Sequence, residues 1–285
     1  MNYRHAFHAG SFADVLKHAT LVRILTHLLS KPAAFRVIDT HAGAGRYDLR
    51  AEEASRGGEW RDGIGRLADA SLPAPARLLL APYLEAVARC NDGGQLTVYP
   101  GSPLLTCAFL RHQDRLIACE LEPKAAAALG HNLARDRRCK AIAIDGWTAL
   151  RAFIPPKERR GLVLIDPPFE DASEFARLGE AVEVAVAKWA SGIYVLWYPL
   201  KERAPADRLA KRLRSLAHVK VLRAGINVGG PGDDERLRAC GLIVINPPWT
   251  LESELRTLLP ALAQALARGR GSAHHLDWLV HENRA

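Results

Sequence analysis

The chain lacks several signatures that would fix its class at once. No apolar run reaches membrane-spanning length. Met1 to Gly10 carries Arg4, His5 and His8 and has no apolar core, so no secretory leader is expected. The five cysteines (Cys90, Cys107, Cys119, Cys139, Cys240) are scattered, with no C-x-x-C pair. That argues against a zinc site and against a disulfide framework, and it favours a reducing cytoplasm. No glycine turn is followed by G-K-[ST], which disfavours a phosphate-cradling ATPase. The G-x-G at Gly43 and Gly45 lacks the third glycine of a dinucleotide fingerprint.

What is present is a chain of 285 residues, 48% hydrophobic, long enough for a full core. Its net charge of +8 and pI near 9.4 favour a polyanionic partner. The basic clusters at 135–140, 157–160, 201–214 and 268–270 are, singly, ordinary solvated faces. Seven strand-like runs stand at 35–39, 115–119, 140–144, 162–165, 192–197, 219–222 and 241–245. Helical patterns at 124–133, 173–190 and 206–216 alternate with them, which implies a parallel sheet covered on both faces. The last two runs have only a Gly- and Asp-rich loop between them, so a hairpin with one antiparallel strand fits there. Residues 59–70 and 73–89 read as helices without strands. This suggests a core of 1–50 and 92–285 with an inserted helical subdomain at 51–91. Residues 251–268 form an amphipathic pattern suited to packing on the sheet.

The run at 161–165 ends in Asp166-Pro167-Pro168-Phe169. Two prolines cannot continue a ladder, so the chain must leave the sheet in a rigid turn. That turn sets a carboxylate beside an aromatic ring at the strand edge where open α/β sheets bind ligands. An acceptor next to a flat ring suits a nucleobase with an exocyclic amine. Three weaker features precede it, each at the end of a successive strand: the Gly43 turn, Glu120, and Asp145-Gly146. Alone, each is an ordinary turn or strand end. Together they form the layout of an S-adenosylmethionine-dependent methyltransferase acting on an amine. Asn246-Pro247-Pro248-Trp249 repeats the chemistry after the last strand, far from that edge, and reads as structural.

Nearly end to end, the chain resembles the bacterial 23S ribosomal RNA adenine-N6 methyltransferase family called RlmJ. The resemblance lies in Tyr3-Arg4-His5, Phe7 to Gly10, Ala13 to His18, Asp39 to Tyr47, Pro100 to Pro103, Ile165 to Phe169, Leu196 to Pro199 and Ile245 to Trp249. It implies a class I methyltransferase fold, Rossmann-like, with a seven-stranded, mostly parallel sheet and a small helical insertion. It implies S-adenosylmethionine contacts from His18, His41, Ser102, Glu120, Asp145, Gly146 and Asp166, with Gly43 in the first glycine turn. Asp166, Pro167, Pro168 and Phe169 would be the catalytic loop, and Tyr3, His5 and Lys17 would touch RNA. Family members often carry Tyr where Phe169 stands; the stacking face is kept. No metal is expected, because the spacing of His5, His8 and His18 matches no strong ligand pattern. Asp14 to His18 fits a short helix on which Lys17 and His18 face different ways. The expected partner is 23S ribosomal RNA. Neither a membrane nor a stable protein partner is expected, and the chain is expected to act as a cytoplasmic monomer. Two rivals are a DNA adenine methyltransferase, for which the insertion is small, and a non-catalytic RNA-binding module, against which every catalytic position is filled.

Overall fold

The computed structural model describes residues 7–171, 173–230 and 236–281. Its elements run α1 (Phe12–Leu29), β1 (Arg36–Asp39), β2 (Arg46–Asp48), α2 (Glu52–Gly57), a π-helical turn (Arg61–Gly65), α3 (Arg66–Ala68) and α4 (Ala74–Ala88). After β3 (Val98–Pro100) come α5 (Ser102–Phe109), β4 (Arg115–Glu120), α6 (Pro123–Leu133), β5 (Cys139–Ala143), α7 (Gly146–Ala152) and β6 (Gly161–Ile165). The chain closes with α8 (Glu174–Lys188), β7 (Ile193–Pro199), α9 (Arg203–Leu213), β8 (Val221–Asn227), β9 (Ala239–Ile245), α10 (Leu251–Ala265) and β10 (Ala273–Val280).

The main sheet has the order β10-β8-β9-β7-β6-β1-β4-β5. β5, β4, β1, β6 and β7 are parallel. β9 runs antiparallel to β7 and β8, and β10 antiparallel to β8. The expected α/β class and the hairpin at β8–β9 are both present, but the sheet has eight strands where seven were expected. The addition is β10, an edge strand carrying His274, His275 and Asp277 and largely half-exposed, so it shows no clean alternation of buried and exposed positions.

Alternation along the central strands decides which helices cover which face. Val37, Leu162 and Leu164 join the core formed with α1, α4 and α10. Ile38, Val163 and Ile165 face the opposite core, under α7, α8 and α9. α10 packs on β8 and β10 as well as on α1 and α4. The helical excursion α2–α4 leaves from β2 and returns through β3, which pair antiparallel in a two-stranded ribbon.

Two expectations change. Only a short helix was legible at Asp14–His18, yet α1 spans 18 residues. It is buried on most sides, so it lacks the polar stripe that marks a surface helix. Its start is secured locally: Ser11 Oγ accepts from Asp14 N at 3.4 Å, and Asp14 Oδ2 accepts from Gly10 N at 2.9 Å, in the manner of a capping box. The second change concerns sulfur. Against the expectation from cysteine spacing, a disulfide joins Cys107 to Cys139 over a sequence separation of 32. The end of α5 and the start of β5 lie side by side, bridged also by Arg138, whose guanidinium donates to the carbonyls of Cys107 and Leu110.

Candidate active site

Parallel strands put their carboxyl ends on one edge, and there two chambers meet. The larger encloses about 530 Å³; the smaller, about 200 Å³. His41, Tyr47 and Pro168 line both and so form the partition.

The larger chamber gathers Glu120, Asp145 and Gly146 with Ala44, Ala125, Ala128, Leu121 and Trp147. Glu120 is buried at the end of β4. Its Oε2 accepts from Gly43 N at 2.8 Å, and its Oε1 accepts from Leu121 N and Glu122 N at 2.9 Å each. Gly43 sits at φ 59°, a conformation glycine adopts without strain, and it bends the chain so that its amide meets Glu120. Asp145 caps α7, its Oδ2 accepting from Thr148 N at 2.9 Å. Gly146 is required by packing: a Cβ there would lie 2.4 Å from the Thr40 carbonyl oxygen and 2.7 Å from His41 Nε2. The His41 ring stands edge-on to Trp147 at 5.3 Å. Glu120 and Asp145, beside the small side chains of Ala44, Ala125 and Ala128, suit a nucleoside with its ribose diol and amine.

The smaller chamber brings together Lys17, His18, Ser102, Asp166, Pro168 and Phe169. Lys17 Nζ contacts Asp166 Oδ2, from a residue 149 positions away, and is held at 2.8 Å by Asp14 Oδ1. Burial alone would lower the Lys17 pKa, but the carboxylates of Asp14 and Asp166 outweigh it and raise it well above the ordinary value. Burial likewise opposes ionisation of Asp14, yet Lys17 brings that carboxyl down to about 2. Lys17 and His18, expected on different faces, share this chamber because adjacent helical residues are only about 100° apart. Burial pushes His18 down to about 3, so the ring is neutral. Ser102 Oγ, at the start of α5, donates to Asp39 Oδ2 at 2.6 Å, and burial raises the Asp39 carboxyl to about 7. Phe169, at φ 51°, packs against Phe175 at 4.7 Å and Trp197 at 5.8 Å. Pro167 is buried behind it.

Of the remaining expected residues, Tyr3 and His5 lie outside the described residues. The His8 ring pairs with Glu59 at 3.0 Å and His18 with Tyr99 at 2.7 Å, so these two rings take separate partners. Sequence reasoning missed Asp14, Tyr47, Trp147 and Arg236 as lining residues. Asp14 and Tyr47 stand inside the blocks that carry the family resemblance, and Trp147 directly follows Asp145-Gly146; Arg236 had no motif to mark it.

Residues 32–280 match the model of the family described as "Ribosomal RNA large subunit methyltransferase D, RlmJ". The chain belongs to the RlmJ family. Two relatives, each called Ribosomal RNA large subunit methyltransferase J, span the same length. The one from Haemophilus influenzae is 38% identical over 99% of this chain and 100% of its own. The one from Escherichia coli K12 is 39% identical over the same shares. A crystal structure of a Legionella pneumophila protein, LPL1258, superposes with a TM-score of 0.86 at 33% identity, covering 95% of this chain and 98% of that one. Membership in the RlmJ family fits both chambers, since a methyltransferase needs one for the methyl donor and one for the acceptor. Among the described residues no helix is long and apolar enough to cross a membrane.

Proposed function

We propose that this protein methylates N6 of a specific adenine in large-subunit (23S) ribosomal RNA, using S-adenosylmethionine. It would act as a monomer in the cytoplasm, on a base flipped out or unpaired. The observation that carries the reading is the placement of Asp166-Pro167-Pro168-Phe169: Pro168 stands in the wall between the chambers, with Asp166 and Phe169 lining the smaller. Residues 51–91 are read as an inserted subdomain on a core of 1–50 and 92–285.

The larger chamber fits the nucleoside of the methyl donor, with Glu120 the acceptor for ribose hydroxyls and Asp145 for the adenine amine. Ser102, His18 and His41 stand nearer the partition, where its amino-acid end would lie. When bound, S-adenosylmethionine supplies an electrophilic methyl on a sulfonium. A base can reach Asp166 inside the small chamber only after leaving its stack. Phe169 offers a ring face, and base–aromatic stacking is worth about 1–3 kcal/mol.

The adenine N6 lone pair is delocalised into its ring. Acceptors aimed at its hydrogens draw the nitrogen toward sp3 and restore that pair. Asp166 supplies one such acceptor and the Pro167 carbonyl a second, with no competing N–H on the proline. Lys17 takes one Asp166 oxygen, which fixes the orientation of the carboxylate and leaves the other oxygen for the amine. Asp166 aligns the amine first and removes a proton after transfer, when the nitrogen carries a positive charge and is strongly acidic. His5 and Tyr3 are read as RNA contacts. Lys17 would reach the base only through Asp166, or beside it.

The test is methyl transfer from labelled S-adenosylmethionine to large-subunit ribosomal RNA lacking its own modification, followed by nucleoside analysis. Label in N6-methyladenosine is expected. Label in DNA instead would make the protein a DNA adenine methyltransferase, and cofactor binding without transfer to RNA would make it a binding module.

A further inference from the structure

One hydrogen-bond chain leads out of the small chamber toward the inserted helices. His18 Nδ1 lies 2.7 Å from the Tyr99 hydroxyl, which lies 2.9 Å from the Tyr83 hydroxyl. His18 is on α1, Tyr99 on β3 and Tyr83 on α4. All three are buried, at 1%, 0% and 0% exposure. The His18 and Tyr99 rings are also stacked, 5.6 Å apart and 27° from coplanar. The remaining polar atom of the ring, His18 Nε2, has the Asp14 carboxylate oxygen 3.9 Å away, beyond hydrogen-bond reach.

The protons can be placed by satisfying every buried group. Burial keeps the imidazole neutral and both phenols protonated. The chain therefore carries one hydrogen on each hydroxyl and one on the ring. In the first arrangement Tyr83 donates to Tyr99, Tyr99 donates to Nδ1, and the ring hydrogen sits on Nε2. Both hydroxyl hydrogens are then bonded, and Nε2–H faces the Asp14 carboxylate side. In the second, Nδ1–H donates to Tyr99 and Tyr99 to Tyr83. The Tyr83 hydrogen then has no acceptor among the described residues, and a bare Nε2 lone pair faces a carboxylate. A buried hydroxyl without an acceptor forfeits its hydration without return. The first arrangement wins on both counts.

We propose that Tyr99 is a positioning residue that locks His18 as the Nε2–H tautomer, so that the small chamber presents a neutral hydrogen-bond donor to an anionic oxygen. Tyr83 reinforces the lock by donating to Tyr99, as chained hydrogen bonds polarise one another. The choice of oxygen rests on the methyltransferase reading above. The amino-acid end of the methyl donor carries a carboxylate, an acceptor, and an ammonium, a donor only. An Nε2–H can serve the carboxylate alone.

The two hydroxyls separate this role from mere core support. Tyr99→Phe removes the donor to Nδ1 and frees the tautomer. Tyr83→Phe deletes a hydroxyl from the same buried chain but leaves Tyr99 with His18 as its sole partner, so the tautomer holds. The measurement is long-range 15N–1H correlation NMR on histidine-labelled protein without ligand, with S-adenosylhomocysteine affinity measured by calorimetry. Wild type and Tyr83→Phe should show His18 protonated on Nε2, and Tyr99→Phe a mixture. Affinity should fall in Tyr99→Phe in proportion to the Nε2–H tautomer lost, about twofold for an even mixture, and hardly move in Tyr83→Phe. A wild-type His18 protonated on Nδ1 would overturn the proposal, whether or not the variants fold. So would a Tyr99→Phe protein with tautomer and affinity unchanged. An Nε2–H signal that mixes in Tyr99→Phe, in a protein that binds no S-adenosylhomocysteine, supports the Tyr99–His18 lock and sinks only the cofactor reading.

Discussion

Two segments of this chain are written almost alike and folded for different ends. Asp166-Pro167-Pro168-Phe169 follows β6, whose parallel direction delivers it to the edge where the chambers meet. Asn246-Pro247-Pro248-Trp249 follows β9, which runs antiparallel to β7 and so delivers it to the opposite edge. The acidic side chain of the first is buried against Lys17. The amide of the second donates to the carbonyls of Ala190 and Gly192 at 2.7 and 2.8 Å, tying a turn. In the first, the left-handed residue is the aromatic one, Phe169 at φ 51°; in the second it is Asn246 at φ 52°. The rings diverge accordingly: Phe169 packs against Phe175 and Trp197, and Trp249 is 85% exposed. The lesson is that a four-residue motif acquires chemistry from strand direction and neighbours, not from its letters.

The strongest way to break the comparison is Asp166→Ala. The fold should survive, because Lys17 keeps Asp14 at 2.8 Å and is not left as an orphaned buried charge. Methyl transfer should fall by about 10²–10⁴-fold, the range for a positioned acid–base group. Single-turnover rates beside a thermal melt would check both, and near-normal transfer would remove Asp166 from the mechanism. Asn246→Ala should do the reverse. It loses two hydrogen bonds and puts Ala at positive φ, so stability should drop by about 2–3 kcal/mol in urea, with the rate per folded molecule unchanged.

How much of this was legible follows from what each feature depends on. The β6 run and its proline turn were readable because a strand buried on both faces is a continuous apolar word. Glu120 and Asp145-Gly146 were readable only jointly, by their order at successive strand ends. β10 was not, since a half-exposed edge strand with His274, His275 and Asp277 mimics a polar tail. Nor was α1, apolar on most sides. The Lys17–Asp166 pair and the Tyr83–Tyr99–His18 chain were out of reach for a deeper reason. Each joins residues far apart in sequence, and burial of polar groups is settled by tertiary partners, not by local pattern.

Acid sharpens the contrast at smaller scale, because only the first motif leans on charge. Asp14 titrates near 2 in the fold against an ordinary value of 3.8. A carboxyl lowered in the folded state contributes stability that is complete above pH 3.8 and disappears as the pH falls toward 2. The contribution is about 2 kcal/mol. Urea midpoints at pH 5 and pH 2.5 should therefore separate more widely in wild type than in Asp14→Asn. Asn246 does not titrate, so the variant at that position should keep the wild-type slope. An Asp14→Asn slope equal to wild type would mean the Lys17 clamp is not what holds the first motif.

The smallest expected effect belongs to Trp249. Nothing in the structure explains why so large a ring stands there, and a side chain this exposed contributes little to the core. Trp249→Ala should change stability by no more than about 0.5 kcal/mol, as surface substitutions do, and leave kcat/KM for RNA within about twofold of wild type. The measurement is worth making because its failure would be informative. A tenfold loss of kcat/KM carried by KM would place RNA on the far edge of the sheet. The two proline motifs would then both serve the substrate, one at the reacting base and one at a distant stacking contact.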